Sequence, residues 1–149
     1  MAIDRGAGTE IIRCASFGGV DTAATSLIIG EQHHIYTVLS VIFYAQSVQA
    51  EGNYVNMRIT GYDSKAGTTG LTHYLFRQDM STKQTFVFND RFSFNGYEPV
   101  DFAGPMDDAT KQDAIADQGS GVAQKLQVYS EHTDDNFDVI CTYIDQNNA

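Results

Sequence analysis

Histidines and carboxylates are the side chains of this chain with the most chemistry to offer, and His33-His34 is the first pair to weigh. Two neutral imidazoles can hold a transition metal, but adjacent residues of a strand point to opposite faces. A strand-borne metal pair needs the spacing His-X-His, which the chain lacks. His34 therefore reads as a strand-entry residue whose polar atoms are satisfied within the protein, and His73 and His132 have no spaced partners. Glu131, Asp134, Asp135 and Asp138 could offer oxygen ligands to Ca²⁺. A calcium loop spaces its acids at alternate positions and places a Gly at the sharp turn. The run His132-Thr133-Asp134-Asp135-Asn136 has no Gly, so it reads as a solvated hairpin loop. Gly67-Thr68-Thr69-Gly70 follows a strand, but neither the Lys nor the helix of a phosphate-cradling loop comes after it. No Gly-X-Ser-X-Gly elbow and no His-Glu-X-X-His occurs. The expectation is no catalytic residue, no cofactor-binding residue and no metal ligand. Tyr54, Tyr62, Tyr74 and Tyr97 fall near strand ends or turns, where a ring could stack on a sugar. The plainer reading makes them rim residues of a sandwich or of a subunit interface.

The elements that would position these residues read as strands. His34–Ser47 is apolar in both alternating parities: Ile35, Leu39, Val41, Phe43 and Ala45 in one, Tyr36, Val38, Ile42 and Tyr44 in the other. Its β-branched and aromatic side chains suit a pleated sheet better than a helix, and it is far shorter than the roughly 20 residues of a membrane span. It is expected to be a central strand covered on both faces. Further strand signals cover Glu10–Ser16, Ser26–Ile29, Tyr54–Tyr62, Leu71–Arg77, Gln84–Phe88, Arg91–Phe94, Val122–Ser130 and Phe137–Ile144. Tyr54–Tyr62 alternates clearly, with Val55, Met57 and Ile59 against Asn56, Arg58 and Thr60. Asn95-Gly96 between Phe94 and Tyr97 carries the short-hairpin signature. One segment departs from this pattern. Residues 107–118 follow Gly104-Pro105, begin with Asp107-Asp108 and stop at Gly119, as a short helix would. Its only large apolar residues are Met106, just before it, and Ile115, so it would lie over a sheet edge or against another subunit. The whole reads as one domain, 1–149, all-β: a two-sheet antiparallel sandwich of jelly-roll or Greek-key type with one short helix. An immunoglobulin-like sandwich is the second choice, without its Cys-Trp-Cys core, and a closed barrel the third.

Composition narrows the partners. With 9 basic and 19 acidic residues the net charge is −10, and no cluster of Lys or Arg offsets it, so nucleic acid and anionic membranes are disfavoured. The opening residues lack the basic region and apolar block of a signal peptide, which points to synthesis in the cytoplasm. Two cysteines, Cys14 and Cys141, are too few for a disulfide framework and are read as reduced core residues, although neighbouring terminal strands could bring them together.

Four stretches carry a family resemblance: Gly30–Leu39, Phe92–Pro99, Gly104–Gln112 and Asp138–Asp145. Together they resemble small virion structural proteins of tailed bacteriophages of marine bacteria, cyanophages especially. The resemblance implies a capsid decoration or cement protein: a jelly-roll module, often trimeric, docked on the outside of the head. The partners it implies are a second copy of the chain and the major capsid protein or another virion protein, the location the virion, and the activity none. Tyr97, Phe102, Met106 and Ile115 are the candidate interface residues, because they are apolar and sit in an irregular stretch. A neck, tail or fibre-base component is the first alternative, and a carbohydrate-binding module for host-surface glycan the alternative of another class. A sandwich-fold enzyme comes last.

Overall fold

The chain is seen in a computed structural model that describes residues 9–49, 54–63, 67–98 and 122–147. His34–Ser47 forms the longest strand among the described residues, and its partners build one sheet around it. In chain order the strands are β1 (Thr9–Val20), β2 (Thr25–Ile29), β3 (His34–Ser47), β4 (Tyr54–Asp63), β5 (Thr68–Asp79), β6 (Thr85–Phe88), β7 (Phe92–Asn95), β8 (Lys125–Ser130) and β9 (Asn136–Asn147). The first sheet, sheet A, has the order β1-β9-β3-β6, with β7 alongside the first part of β3 and β6 alongside the later part. Sheet B has the order β2-β8-β4-β5. Except for β4 to β5 and β6 to β7, consecutive strands lie in opposite sheets. That alternation is the strand order of a jelly roll. No helix occurs among the described residues, and the helix expected over 107–118 lies outside them.

β3 corrects one expectation. Tyr36 and Val38 face the core at its start, whereas Val41, Phe43 and Ala45 do so further on. Its pairing with β9 steps from Val38↔Tyr143 to Ser40↔Thr142, which leaves Leu39 as an extra residue. A single inserted residue moves every later side chain to the other face. The strand is apolar in both parities because its inward parity changes halfway, not because both faces are covered. Ile35, on the outer side, is 37% exposed.

Without Trp, aromatic rings close the core. Phe76 of β5 meets Phe86 and Phe88 of β6 at centroid separations of 5.2 and 5.1 Å, which joins the two sheets along one edge. The file continues through Phe92 and Phe94 to Tyr36 and Tyr143. Val55, Met57, Leu126 and Val128 fill the inner face of sheet B, as the alternation of Tyr54–Tyr62 predicts for its share.

Asn95-Gly96 forms a corner, not the expected hairpin. β7 pairs with β3, and beyond Gly96 the chain crosses to sheet B, where Tyr97 bridges to Ala123. Gly96 is required by crowding: a Cβ there would lie 2.4 Å from the Glu31 carbonyl oxygen and 2.9 Å from the Tyr36 ring. The buried Gln124 ties this corner, its amide donating to the Asn95 carbonyl at 2.8 Å and its side-chain oxygen accepting from the Tyr62 N–H at 3.2 Å.

Candidate functional site

The histidines and acids resolve into structural roles. His34 opens β3 with Nδ1 at 2.5 Å from Asp145 Oδ1 and Nε2 at 3.3 Å from Glu31. Arg13 Nε donates to the other Asp145 oxygen at 2.9 Å, and this contact raises the Arg13 pKa above its ordinary value. His33 takes a left-handed turn conformation with φ of 63°, so the two histidines do not share a site. His73 lies exposed on β5. Residues 131–135 cross from sheet B to sheet A and are therefore not a hairpin loop. Asp135 is buried there, accepting from the Ser130 hydroxyl at 2.7 Å and the Gln49 N–H at 3.0 Å. Asp138 accepts from Gln46, and Glu131 pairs with Arg77. Sequence reasoning left these acids in solvent because their partners lie on other strands.

The cysteines sit on adjacent strands, as neighbouring chain ends allow, yet in the register Ala15↔Cys141 and Cys14↔Thr142. The one-residue offset places Cys14 on the outer face and Cys141 in the core, out of bonding reach of each other. Burial pushes the Cys141 thiol up to about 12. Tyr36 rises to about 12 for the same reason.

Two outer surfaces remain. On sheet A, three cross-strand rows are free of charge: Ile12–Ile144–Thr37–Ser93, Cys14–Thr142–Ser40 and Ser16–Ile140–Ile42–Val87. Ile12 is 71% exposed and Val87 47% exposed. Charge reappears at the ends of the face, at Glu10 and Asp138, and at its flank, where the exposed Asp90 and Arg91 join β6 to β7.

On sheet B the outer rows are polar and aromatic. Asn56 is flanked by Arg77 and Tyr129, and Arg58 by Tyr74 and Gln127. A cleft of about 470 Å³ opens here, lined by Asn56, Tyr74, Phe76, Arg77, Tyr129 and Glu131. The Tyr129 hydroxyl donates to that of Tyr74 at 2.8 Å. That hydrogen bond, with Arg58 and Arg77 nearby, lowers the Tyr74 pKa, whereas burial raises that of Tyr129. The Arg58 guanidinium lies 4.9 Å from the centre of the Tyr129 ring, and that of Arg77 lies 4.2 Å from the centre of the Tyr54 ring. Arg77 also meets Glu131 at 2.5 Å. Asn56 is only 2% exposed, and its Nδ2 has no hydrogen-bond partner. Of the four tyrosines singled out from sequence, Tyr74 lines this cleft and Tyr54 reaches it only through its stack on Arg77, while Tyr62 and Tyr97 do neither. Asn56, Arg77 and Tyr129 went unrecognised, and Glu131 was weighed only as a calcium ligand. The polar parity of Tyr54–Tyr62 was the one available signal.

Of the candidate interface residues, Tyr97 is half-buried, and Phe102, Met106 and Ile115 lie outside the described residues. Among the described residues no helix is long and apolar enough to cross a membrane.

No protein-family model and no curated protein matches the chain. Among solved structures it is similar to a chain of the disulfide-linked pili that form Bacillus endospore appendages, at 9% identity and a TM-score of 0.44, covering 100% of this chain and 97% of that one. It is also similar to a chain of infectious bursal disease virus, Gx strain, at 10% identity and a TM-score of 0.46 over 96% of this chain. A chain of the VP2 subviral particle of the same virus gives 9% identity and a TM-score of 0.46. The protein spans about a third of those viral chains, 33% and 34%. Its fold is defined by its own strand order.

Proposed function

We propose that this protein is a structural component of a virus particle, a decoration or cement protein that docks on the exterior of a tailed-phage head and stabilises it without doing chemistry. The observation that carries the reading is the outer face of sheet A. A chain of net charge −10 distributes its charges over its surface unless something excludes them, and three consecutive rows of this face hold none. Burying exposed isoleucine and valine against a flat neutral surface is favourable, at about 25 cal/mol per Å² of apolar area. Small contacts repeated over many symmetric copies sum to a large stabilisation of a shell. The jelly-roll order serves viral capsid domains and lectins alike, so it is compatible with the reading without selecting it. The sequence resemblance to phage virion proteins supports the particle as partner. In this reading the protein also associates with itself as a homotrimer, through Tyr97 and the stretch containing Phe102, Met106 and Ile115.

The test adds purified protein to particles that lack it. Saturable binding at symmetric positions, with raised heat resistance, is expected, and light scattering should give a mass near three times 16.4 kDa for the free protein. Cys14 supplies an internal control, because it is exposed at the β1 end of the middle uncharged row. Coupling a bulky maleimide to it should block docking and leave the fold intact. Docking of the modified protein at undiminished affinity would exclude this face, and a lack of particle binding would exclude the reading.

A further inference from the structure

We propose that the cleft on the outer face of sheet B binds a carboxylate-bearing sugar, with Asn56 donating a hydrogen bond to it from the floor. This site lies on the sheet opposite the docking face and does not depend on the assembly reading. A buried donor without a partner is rare, because leaving it unmade costs folding free energy that nothing within the chain returns. Asn56 Nδ2 is such a donor, and the residue lines the cleft. An acceptor oxygen of a ligand would satisfy it.

The surroundings specify the rest of the ligand. Arg77 lines the cleft beside Glu131, and Arg58 stands at its edge against the Tyr129 ring, so the cleft and its edge together carry one positive charge more than negative. Arg77 has one nitrogen on Glu131 and Arg58 uses Nε toward Gln127, which leaves donors of both forks for a carboxylate. The Tyr74 hydroxyl accepts from Tyr129 and keeps its own proton to donate, while Glu131 can accept from a ligand hydroxyl. The Tyr74 ring, on a residue 58% exposed, offers apolar surface to C–H groups. Carboxylate, several hydroxyls and one apolar flank together describe a uronic-acid type of sugar. The volume of about 470 Å³ suits one or two such rings and not an extended acidic peptide.

Titrating isotope-labelled protein with D-glucuronate, with D-glucose and poly-glutamate in parallel, tests this. Saturable shifts of the Asn56, Tyr74 and Tyr129 amides are expected with glucuronate at millimolar affinity, and weaker ones with glucose. Asn56→Ala should weaken glucuronate binding by about tenfold or more. Arg77→Gln, at an exposed position, should erase the preference for glucuronate over glucose. The proposal is overturned if glucuronate gives no saturable shift, if glucose binds equally well, or if poly-glutamate binds in its place. It is overturned equally if Asn56→Ala leaves glucuronate affinity unchanged.

Discussion

Asp145 is the side chain on which most of the local electrostatics converge. It takes Arg13 on one oxygen and His34 on the other, at 6% side-chain exposure, while Glu31 reaches the same histidine at 70% exposure. Removing a buried acceptor strands its donors, whereas an exposed ion pair is worth little. Asp145→Ala is expected to cost about 2 kcal/mol, a Tm loss of roughly 4–8 °C, and Glu31→Ala less than about 0.5 kcal/mol. Calorimetry at neutral pH separates the two. Cys141 sets a second expectation, at alkaline pH. Its thiol titrates near 9.0 when exposed and near 12 when folded. Above pH 9 the unfolded chain therefore releases a proton that the folded chain keeps, and stability falls as pH rises toward 12. Cys141→Ala should lower stability at pH 8 through lost packing but flatten the decline that begins near pH 9, read from urea melts at stepped pH. Neither role was legible in the sequence, where Asp145 is one acid of 19 and the two cysteines look equivalent. Their difference comes from one residue of register between β1 and β9.

At the scale of elements, the sequence carried most of the strands, because β-branched and aromatic runs bounded by turn residues mark them wherever the chain lies. His34–Ser47 matches β3 end to end. The bulge at Leu39 was not legible, since two parities of apolar residues look the same whether both faces are covered or the inward face changes. Asn95-Gly96 misled for a related reason. The pair signals positive φ, yet Gly96 has no positive φ and is needed because the backbone of Glu31 presses against it. Gly30 meets it from the other side, where a Cβ would fall 1.7 Å from the Gly96 carbonyl oxygen. These contacts are with backbone and cannot be relieved by a rotamer change. Gly96→Ala should therefore cost about 3 kcal/mol, a Tm loss of roughly 6–12 °C, although Ala normally stabilises a Gly site. Gly19→Ala provides the comparison: nothing lies within 4 Å of its added Cβ, and only the φ of 68° opposes it. The larger loss at Gly96 would place the strain in the corner, and equal losses would refute the crowding argument.

Across the whole molecule, the two sheets present unlike surfaces. Sheet A turns an uncharged field of Ile, Val, Thr and Ser outward, and sheet B a polar cleft with Arg77 in its wall and Arg58 at its edge. Net charge was legible from composition, but its distribution over two faces was not, because each outer row is assembled from strands far apart in the chain. This distribution fixes the salt response expected of the proposed docking. Were charge contacts to dominate, added salt would weaken binding. An uncharged face meets its partner through apolar burial, which salt does not screen, while the residual repulsion of a −10 subunit toward its bound neighbours is screened at about 10 Å in 0.1 M salt. Particle binding should therefore hold or strengthen between 0.05 and 0.5 M NaCl, as roughly chosen limits on either side of that screening length. Ile140→Lys places one charge at the centre of the field and should abolish docking, with the fold unchanged because Ile140 lies on the outer side, 36% exposed. Sedimentation of particles with bound protein across that salt series reads both expectations. Binding that falls steeply with salt, or that survives Ile140→Lys, would shift the contact to a charged surface elsewhere on the molecule.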